Sequence, residues 1–336
     1  MNGRDHIIKA FNQLAESFEP SNEVLSANVG RTYVENNWLT KENYWLALTE
    51  WKRQLGKDSL QQFIANNAFS TSPKRVGIIM AGNIPMVGFH DLLCVLLSGN
   101  IAIVKPSSDD KYVIKYICST LASLGLDNKI EVVEKLEKID AVIATGSNNS
   151  FKYFEYYFKS IPSLLRKNRK SLAILDGSET DEDLDNLATD VFQYFGLGCR
   201  NVALVFLPKS MNITRVLDHF MSHKDIENHN KFANNYTYHR ALLLMNNEQH
   251  LDTGFLLCKE KKDLNVPLAC LHYVYYENQE EVNDFIQENK ENIQCVVGNY
   301  YQDGMIGFGD SQKPELQDFA DNENTLDFLD NLSKNN

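Results

Sequence analysis

Up to about residue 70, apolar positions recur at the three-to-four-residue spacing of helices. HIIKAFNQLAESF and LTKENYWLALTEWKRQL are examples, and no strand alternation interrupts them. From Lys74 the pattern changes. RVGIIM, Arg75 to Met80, is a short apolar run that predicts a buried strand, followed by a turn with Gly82, Asn83 and Pro85. GFHDLLCVLLSG predicts a helix stopping at Gly99. NIAIVKP reads as a second strand and DDKYVIKYICSTLASLG as an amphipathic helix. DAVIATGS is a third strand leading into the helical FKYFEYYFKSI, and KSLAILDG is a fourth. Strands alternating with helices predict βαβ units and a parallel sheet, an α/β fold.

Next, Leu184, Leu187, Ala188, Val191, Phe192 and Phe195 fall on one helical face, and Thr180 with Asp183 forms a capping-box pattern. Gly196 and Gly198 break that helix before the strand NVALVFLP. Later strands are expected at ALLLM, GFLLC, LHYVYY and QCVVG, with EEVNDFIQENK a helix between the last two. The acidic tail after Lys313 is expected to be helical near its end. Neither an internal repeat nor a low-complexity linker is visible.

A chain of 336 residues suggests two domains, or one large one with subdivisions, and 43% hydrophobic residues are enough to bury a normal core, which fits neither a disordered nor a fibrous class. A net charge of -12 argues against a nucleic-acid partner, which would need a basic face. Anionic cofactors stay open, since a few lysines or a helix N-terminus can hold them. The cysteines, Cys94, Cys118, Cys199, Cys258, Cys270 and Cys295, are scattered without a CxxC pair. No metal site and no disulfide framework are therefore expected. MNGRDHIIKAFNQLAESF shows no secretory pattern and no apolar run approaches ~18 residues, so the expectation is a cytoplasmic chain without a membrane span.

Cys199 in FGLGCRN is the strongest chemical candidate. Flanking glycines let a ligand approach the backbone, and Arg200 can stabilise a thiolate if it points that way; the alternative is a buried small hydrophobe. Cys94, Cys118 and Cys295, inside apolar elements, read as small core residues. Three loops follow apolar strands: AGNIP, KPSS and TGSNN. In a parallel sheet such carboxyl ends are where ligands bind. Asn83 can donate amide hydrogens to an oxyanion, Lys105 can hold a ribose or phosphate, and Gly146 with Ser147 opens a helix suited to a pyrophosphate. The alternatives are a plain turn residue at Asn83 and a solvated Lys105. No GxGxxG is present. RKNRK, Arg166 to Lys170, reads as a solvated face, with coenzyme A phosphates as the other option. His90 reads as a cap of its helix, with acid or base work as the other option. Asp318, Asp321 and Glu323 in the tail are expected to be solvated.

The order VGIIMAGNIPM, LLSGNIAIVKPSS, AVIATGS, SLAILDG, FGLGCRNVALVFLP resembles the aldehyde dehydrogenase superfamily, and within it the acyl-CoA reductases of the bacterial luminescence type. The likeness is clear from Arg75 to Pro208, and GFGDSQKPELQDFADNENTLDFL resembles that branch's ending. The resemblance implies a doubly wound, parallel-sheet cofactor domain (71–195) after an N-terminal helical segment (1–70). It further implies an α/β catalytic domain (196–310) and an acidic tail (311–336) returning to the cofactor domain. It puts Cys199 at the nucleophile and Asn83 at the oxyanion. Lys105, Ser107, Ser108, Gly146 and Ser147 fall at the nicotinamide cofactor. Ser108 stands where NAD-specific members carry an acid, so NADP (as NADPH) is expected. The implied partner is an acyl-CoA or acyl-carrier substrate, with room for a homo-oligomer.

Two departures stand out. The superfamily's general-base glutamate position holds Ile174, with Asp176 two residues out of register, and no glutamate matches the later ribose-binding position near DLNVPLACLHY. The sequence thus reads as an NADPH-dependent acyl-CoA reductase working through a Cys199 acyl-enzyme. An oxidative aldehyde dehydrogenase, or a non-catalytic or acyl-transfer subunit of the same fold, are the alternatives.

Overall fold

The computed structural model describes residues 3–299 and 304–334, with Asn148 and Ser333 described by backbone alone. The chain divides into two compact units, one running to Asn168 and resuming at Glu315, the other Arg169–Pro314.

In the first unit, α1 (Gly3–Glu16), α2 (Glu23–Glu35), α3 (Lys41–Gln54) and α4 (Lys57–Phe63) precede any strand. The stripe of α1 that reads as apolar in sequence is the buried one: Ile7, Ile8, Ala10, Phe11, Leu14 and Ala15. Asn22 and Thr40 cap α2 and α3 by accepting from Leu25 and Asn43 N–H. Then β1 (Arg75–Ile79), α5 (Phe89–Leu97), β2 (Ile101–Lys105), α6 (Tyr112–Leu121), β3 (Ile130–Val132), β4 (Ala141–Thr145), α7 (Asn148–Phe158) and β5 (Ser163–Arg166) alternate. The sheet order is β3-β2-β1-β4-β5, with every pairing parallel. The chain winds outward from β1 to β3, then crosses back to β4, so the winding reverses between β1 and β4. Helix α5 buries every residue except His90, which explains why it is apolar all round. Neither β3 nor β5 was expected from the sequence. They are short edge strands, and β3 is largely exposed, so burial imposes no pattern on it.

The second unit holds β6 (Lys170–Ile174), α8 (Asp181–Phe192), β7 (Val202–Pro208), α9 (Ile213–Phe220), α10 (Asn230–Met245), β8 (Leu251–Asp252), β9 (Leu257–Glu260), β10 (Cys270–Tyr276), α11 (Gln279–Asn289), β11 (Ile293–Val297) and β12 (Met305–Ile306). Its sheet runs β12-β11-β6-β7-β10-β9-β8, parallel except for the β8–β9 pair. One face packs Ala173, Val205 and Leu207 against Leu184, Leu187 and Val191 of α8 and Val216 and Phe220 of α9. The other packs Leu172, Ile174, Leu204 and Phe206 against Val282 and Phe285 of α11. Both faces being covered is what makes these strands read as continuous apolar runs. The capping box is present, with Thr180 Oγ1 accepting from Asp183 N–H and the Asp183 carboxylate accepting from Thr180 N–H.

The division between units falls at 168/169, ahead of the 195/196 expected from the sequence. The reason is pairing: β6 lies beside β7 and β11, and α8 packs on that same sheet. The tail from Glu315 groups with the first unit and ends in α12 (Thr325–Lys334), which packs on α5. ALLLM is not a strand but the last turns of α10. Ala, Leu and Met are strong helix formers, so propensity pointed the right way where the bare apolar run misled. No helix among the described residues is long and apolar enough to cross a membrane.

Candidate active site

The first unit gathers the loop residues singled out in its sequence along one edge. Lys105 ends β2 in register with Ile79 of β1, and Ile79 is in register with Ala144 of β4. The loops carrying Asn83, Lys105 to Ser108, and Gly146 with Ser147 therefore leave the sheet side by side, at the carboxyl ends and across the point where the winding reverses. This is where open α/β sheets hold ligands. The first two loops interlock: a Cβ on Gly82 would lie 2.6 Å from Ser107 Oγ, so only glycine fits there. Ser107 Oγ also accepts from Asp109 N–H at 3.2 Å, while Ser108 is exposed. Asp110 is buried and accepts from Tyr44 Oη at 2.5 Å and from Met86 N–H at 3.1 Å. That contact holds the Asn83 loop where Met86 takes a left-handed φ of 65°. Burial raises the Asp110 carboxyl to about 6, against the pull of the Tyr44 and Met86 hydrogen bonds. Ser147 Oγ accepts from Ser150 N–H at 3.3 Å and caps α7. Asn83 and Ser147 are exposed, and Lys105 is half-buried.

In the second unit, Cys199 closes a strained turn. After α8, Tyr194 (φ 53°), Phe195 (φ 59°) and Gly196 (φ 74°) are all left-handed in succession. Asn201, buried, holds the turn. Its amide nitrogen donates to the carbonyls of Asp190 (3.0 Å), Val191 (3.3 Å) and Gln193 (2.8 Å), and its oxygen accepts from Gly198 N–H at 2.8 Å. Cys199 is half-buried, and its carbonyl accepts from Ser171 Oγ on β6 at 3.0 Å. Ser171 lies in register with Val202 and its hydroxyl also meets Cys295 Sγ at 3.0 Å. Cys94, Cys118, Cys258 and Cys295 are buried. Burial drives the thiols of Cys118 and Cys270 up to about 12. A half-exposed cysteine on a strained, tightly pinned turn is the arrangement expected of a nucleophile.

A model of the acyl-CoA reductase (LuxC) family matches residues 50–301. The chain belongs to this family. Solved structures similar to this reductase include aldehyde dehydrogenases. One is the substrate-bound state of Staphylococcus aureus AldH, 16% identical, with a TM-score of 0.61, covering 89% of this chain and 76% of that one. Another is a mutant of the P. syringae indole-3-acetaldehyde dehydrogenase AldA, in complex with NAD+ and IAA. It is 12% identical, with a TM-score of 0.65, covering 89% and 72%. A third is an NAD+ complex of a Bacillus cereus aldehyde dehydrogenase, 14% identical, with a TM-score of 0.64, covering 89% and 72%. The reductase thus has the aldehyde dehydrogenase fold. A search of curated proteins gives no match.

Several charged residues of the reductase sit differently from expectation. RKNRK is not a solvated face: Arg166 and Arg169 are buried. Arg166 donates to both oxygens of Asp91, at 2.7 and 2.6 Å, and to Thr325 Oγ1 at 2.7 Å. His90 Nε2 bonds the carbonyl of Leu316 at 2.9 Å, and its ring lies among Trp51, Phe63 and Phe319, which makes it a packing residue. Asp321 is buried rather than solvated, with a left-handed φ of 59°. Asp176 accepts from Ser178 N–H and Oγ, and Glu179 accepts from Asp176 and Gly177 N–H, so both carboxylates shape their own loop. Ile174 is 2% exposed in the core. The sequence reading passed over Ser171 and Asn201. A polar residue opening an apolar strand was the only signal for Ser171, and adjacency to Cys199 the only one for Asn201.

Proposed function

We propose that this protein reduces an acyl thioester, carried on coenzyme A or an acyl carrier, to the aldehyde with NADPH through an acyl group held on Cys199. The observation carrying this reading is the Cys199 turn, half-exposed and fixed by Asn201 and Ser171. The Cys199 thiolate attacks the acyl carbonyl, forming a C–S bond while the C=O electron pair moves to oxygen. The resemblance assigns the stabilisation of that oxyanion to the backbone N–H of Cys199 and the Asn83 amide. When the pair returns, the carrier leaves as a thiolate and Cys199 is acylated. The first unit's carboxyl edge offers an ammonium at Lys105, hydroxyls at Ser107 and Ser108, and the α7 N-terminus behind Gly146 and Ser147. These suit ribose hydroxyls and phosphates, and neutral Ser108 leaves room for the extra phosphate of NADP. When bound, NADPH supplies the hydride that releases the acyl group as an aldehyde. None of the six cysteines is in a disulfide, which suits a cytoplasmic enzyme.

Hydrolysis of the acyl-enzyme needs a base, worth roughly 10²–10⁴-fold. Buried Ile174 cannot take a proton. Asp176 lies two residues beyond the end of β6 and accepts from Ser178 N–H and Oγ. Free acid should therefore form slowly. The test is intact mass after incubation with an acyl-CoA: wild type gains the acyl mass, Cys199→Ala does not, and Cys94→Ala does. Supplying aldehyde and NADP with and without coenzyme A then separates the alternatives. Thiol-dependent turnover supports the reductase, and rapid acid formation without thiol points to an oxidative dehydrogenase. Acylation without any cofactor turnover points to an acyl-transfer subunit.

A further inference from the structure

Helix α10 has 16 residues and buries only Phe232. At 3.6 residues per turn, Phe232, Tyr236 and Leu243 share one side, which is buried or half-buried. Tyr238, Ala241, Leu242 and Met245 share the opposite side and are all exposed, Tyr238 by 60% and Met245 by 79%. The helix is held in this orientation: Tyr236 Oη and Arg240 Nε both donate to Asp252, at 2.6 and 2.7 Å. A helix draws most of its stability from packing an apolar stripe, and here such a stripe is left in water. A contiguous exposed apolar surface marks a place of interaction. Its charge is as distinctive as its polarity. The chain carries a net -12, yet residues 230–245 include no Asp or Glu. Arg240 is neutralised by Asp252, and Glu248, just beyond the helix, pairs with Lys259.

We propose that this stripe is where two copies of the chain meet, α10 lying antiparallel against α10 of the second copy around a two-fold axis. Two acidic chains repel over most of their surfaces, and this face brings no carboxylates together. A neutral stripe complements itself. It lacks the row of lysines and arginines by which a helix lies on an anionic lipid surface. A two-fold axis makes every contact twice. With the axis between Ala241 and Leu242, Tyr238 of one copy faces Met245 of the other, a favourable ring–sulfur pairing. Ala241 is small enough to let the two helices approach to about 8–10 Å. The two stripes together cover on the order of 1,000 Å², the low end of specific interfaces, so the dimer is reversible. This inference is independent of the reading of Cys199.

The test is sedimentation velocity of the full chain over a concentration series reaching roughly 100 μM, where an interface of this size should assemble. The wild type should shift from one to two chain masses as concentration rises. Tyr238→Glu and Met245→Lys should each weaken dimerisation at least about tenfold, since each places an unpaired charge in an apolar contact. Combined in one chain, they should restore the dimer, because the Glu of one copy then meets the Lys of the other. Seven residues apart on one helix, the two cannot pair within a chain. Both side chains are exposed, so the variants should fold, and cooperative thermal unfolding at low concentration checks that they do. Leu242→Lys repeats the single-site comparison if either does not. A wild type that stays monomeric throughout overturns the proposal and leaves the stripe to a different partner. A dimer that ignores Met245→Lys, or a double variant that does not recover, overturns it as well.

Discussion

Asp91 and Arg166 form a buried ion pair across 75 residues of sequence, with side-chain exposures of 3% and 4%. The guanidinium meets both carboxylate oxygens and reaches on to Thr325 at the start of α12. Removing one partner should be costly because it strands the other. Asp91→Ala leaves an arginine that cannot shed its proton, and we expect a loss of about 3–5 kcal/mol. Arg166→Met leaves a carboxylate that can take up a proton instead, so its cost should be smaller and shrink as pH falls. The double variant Asp91→Leu/Arg166→Met exchanges both charges for apolar volume. It should lie within about 1–2 kcal/mol of wild type, or above it, giving a large coupling energy. Urea unfolding followed by tryptophan fluorescence suits the measurement, since Trp38, Trp45 and Trp51 all belong to the first unit. That probe reads the unit holding the pair even if the second unit melts separately. If Asp91→Ala costs less than about 1 kcal/mol, or the single effects simply add, the ion pair is not what holds β5, α5 and α12 together.

Asp110 sets a pH dependence in the same unit. Its folded pKa of about 6, raised from 3.8 by burial, gives stability that is full below about 3.8 and lost as pH rises through about 6. Over that window the wild type should lose about 3 kcal/mol relative to Asp110→Asn, measured as the difference between their stability–pH curves. Ser108→Asp should move the ratio of kcat/KM from NADPH towards NADH, and an unchanged ratio would remove Ser108 from the cofactor reading. Asn201→Ala strips one carbonyl-binding amide and orphans Gly198 N–H, costing at least about 2 kcal/mol in urea and slowing Cys199 acylation. Acylation at the wild-type rate would mean that the turn holds itself.

The helices and central strands were legible because each buries one stripe or two faces, and burial writes a period into the chain. Thus α1, α8, β1 and β7 follow the apolar pattern closely. β3 and β5 left no pattern because an edge strand is only partly buried. The carboxyl-edge loops of the first unit were legible as punctuation after strands, although sequence could not say that Gly82 is glycine because Ser107 fills its Cβ position. Arg166, Arg169 and Asp321 were illegible for a different reason. A charge is read as exposed unless its partner is known, and the partner of Arg166, at the end of β5, is Asp91 in the distant α5. The unit boundary was misplaced because β6 looks like any other strand in an alternating series; only its neighbours, β7 and β11, assign it to the second sheet.

The Cys199 turn shows where such reading stops. Gly196 and Gly198 announced a break, but two of the three left-handed residues are Tyr194 and Phe195, where the conformation costs roughly 1–3 kcal/mol each. Nothing in an aromatic pair signals that strain. It persists because Asn201 makes four hydrogen bonds to the backbone around the turn, and because Tyr194 is itself buried. A charge-free hydrogen bond nets about 0.5–1.5 kcal/mol, so the two N–H groups shared among three carbonyls, with the bond accepted from Gly198, offset a good part of the strain. Loosening Asn201 would let the aromatic pair relax to ordinary dihedrals and carry Cys199 with it. The strain and its restraint therefore act on the same few residues, which ties the position of the thiol to the fold of the second unit rather than to the local sequence.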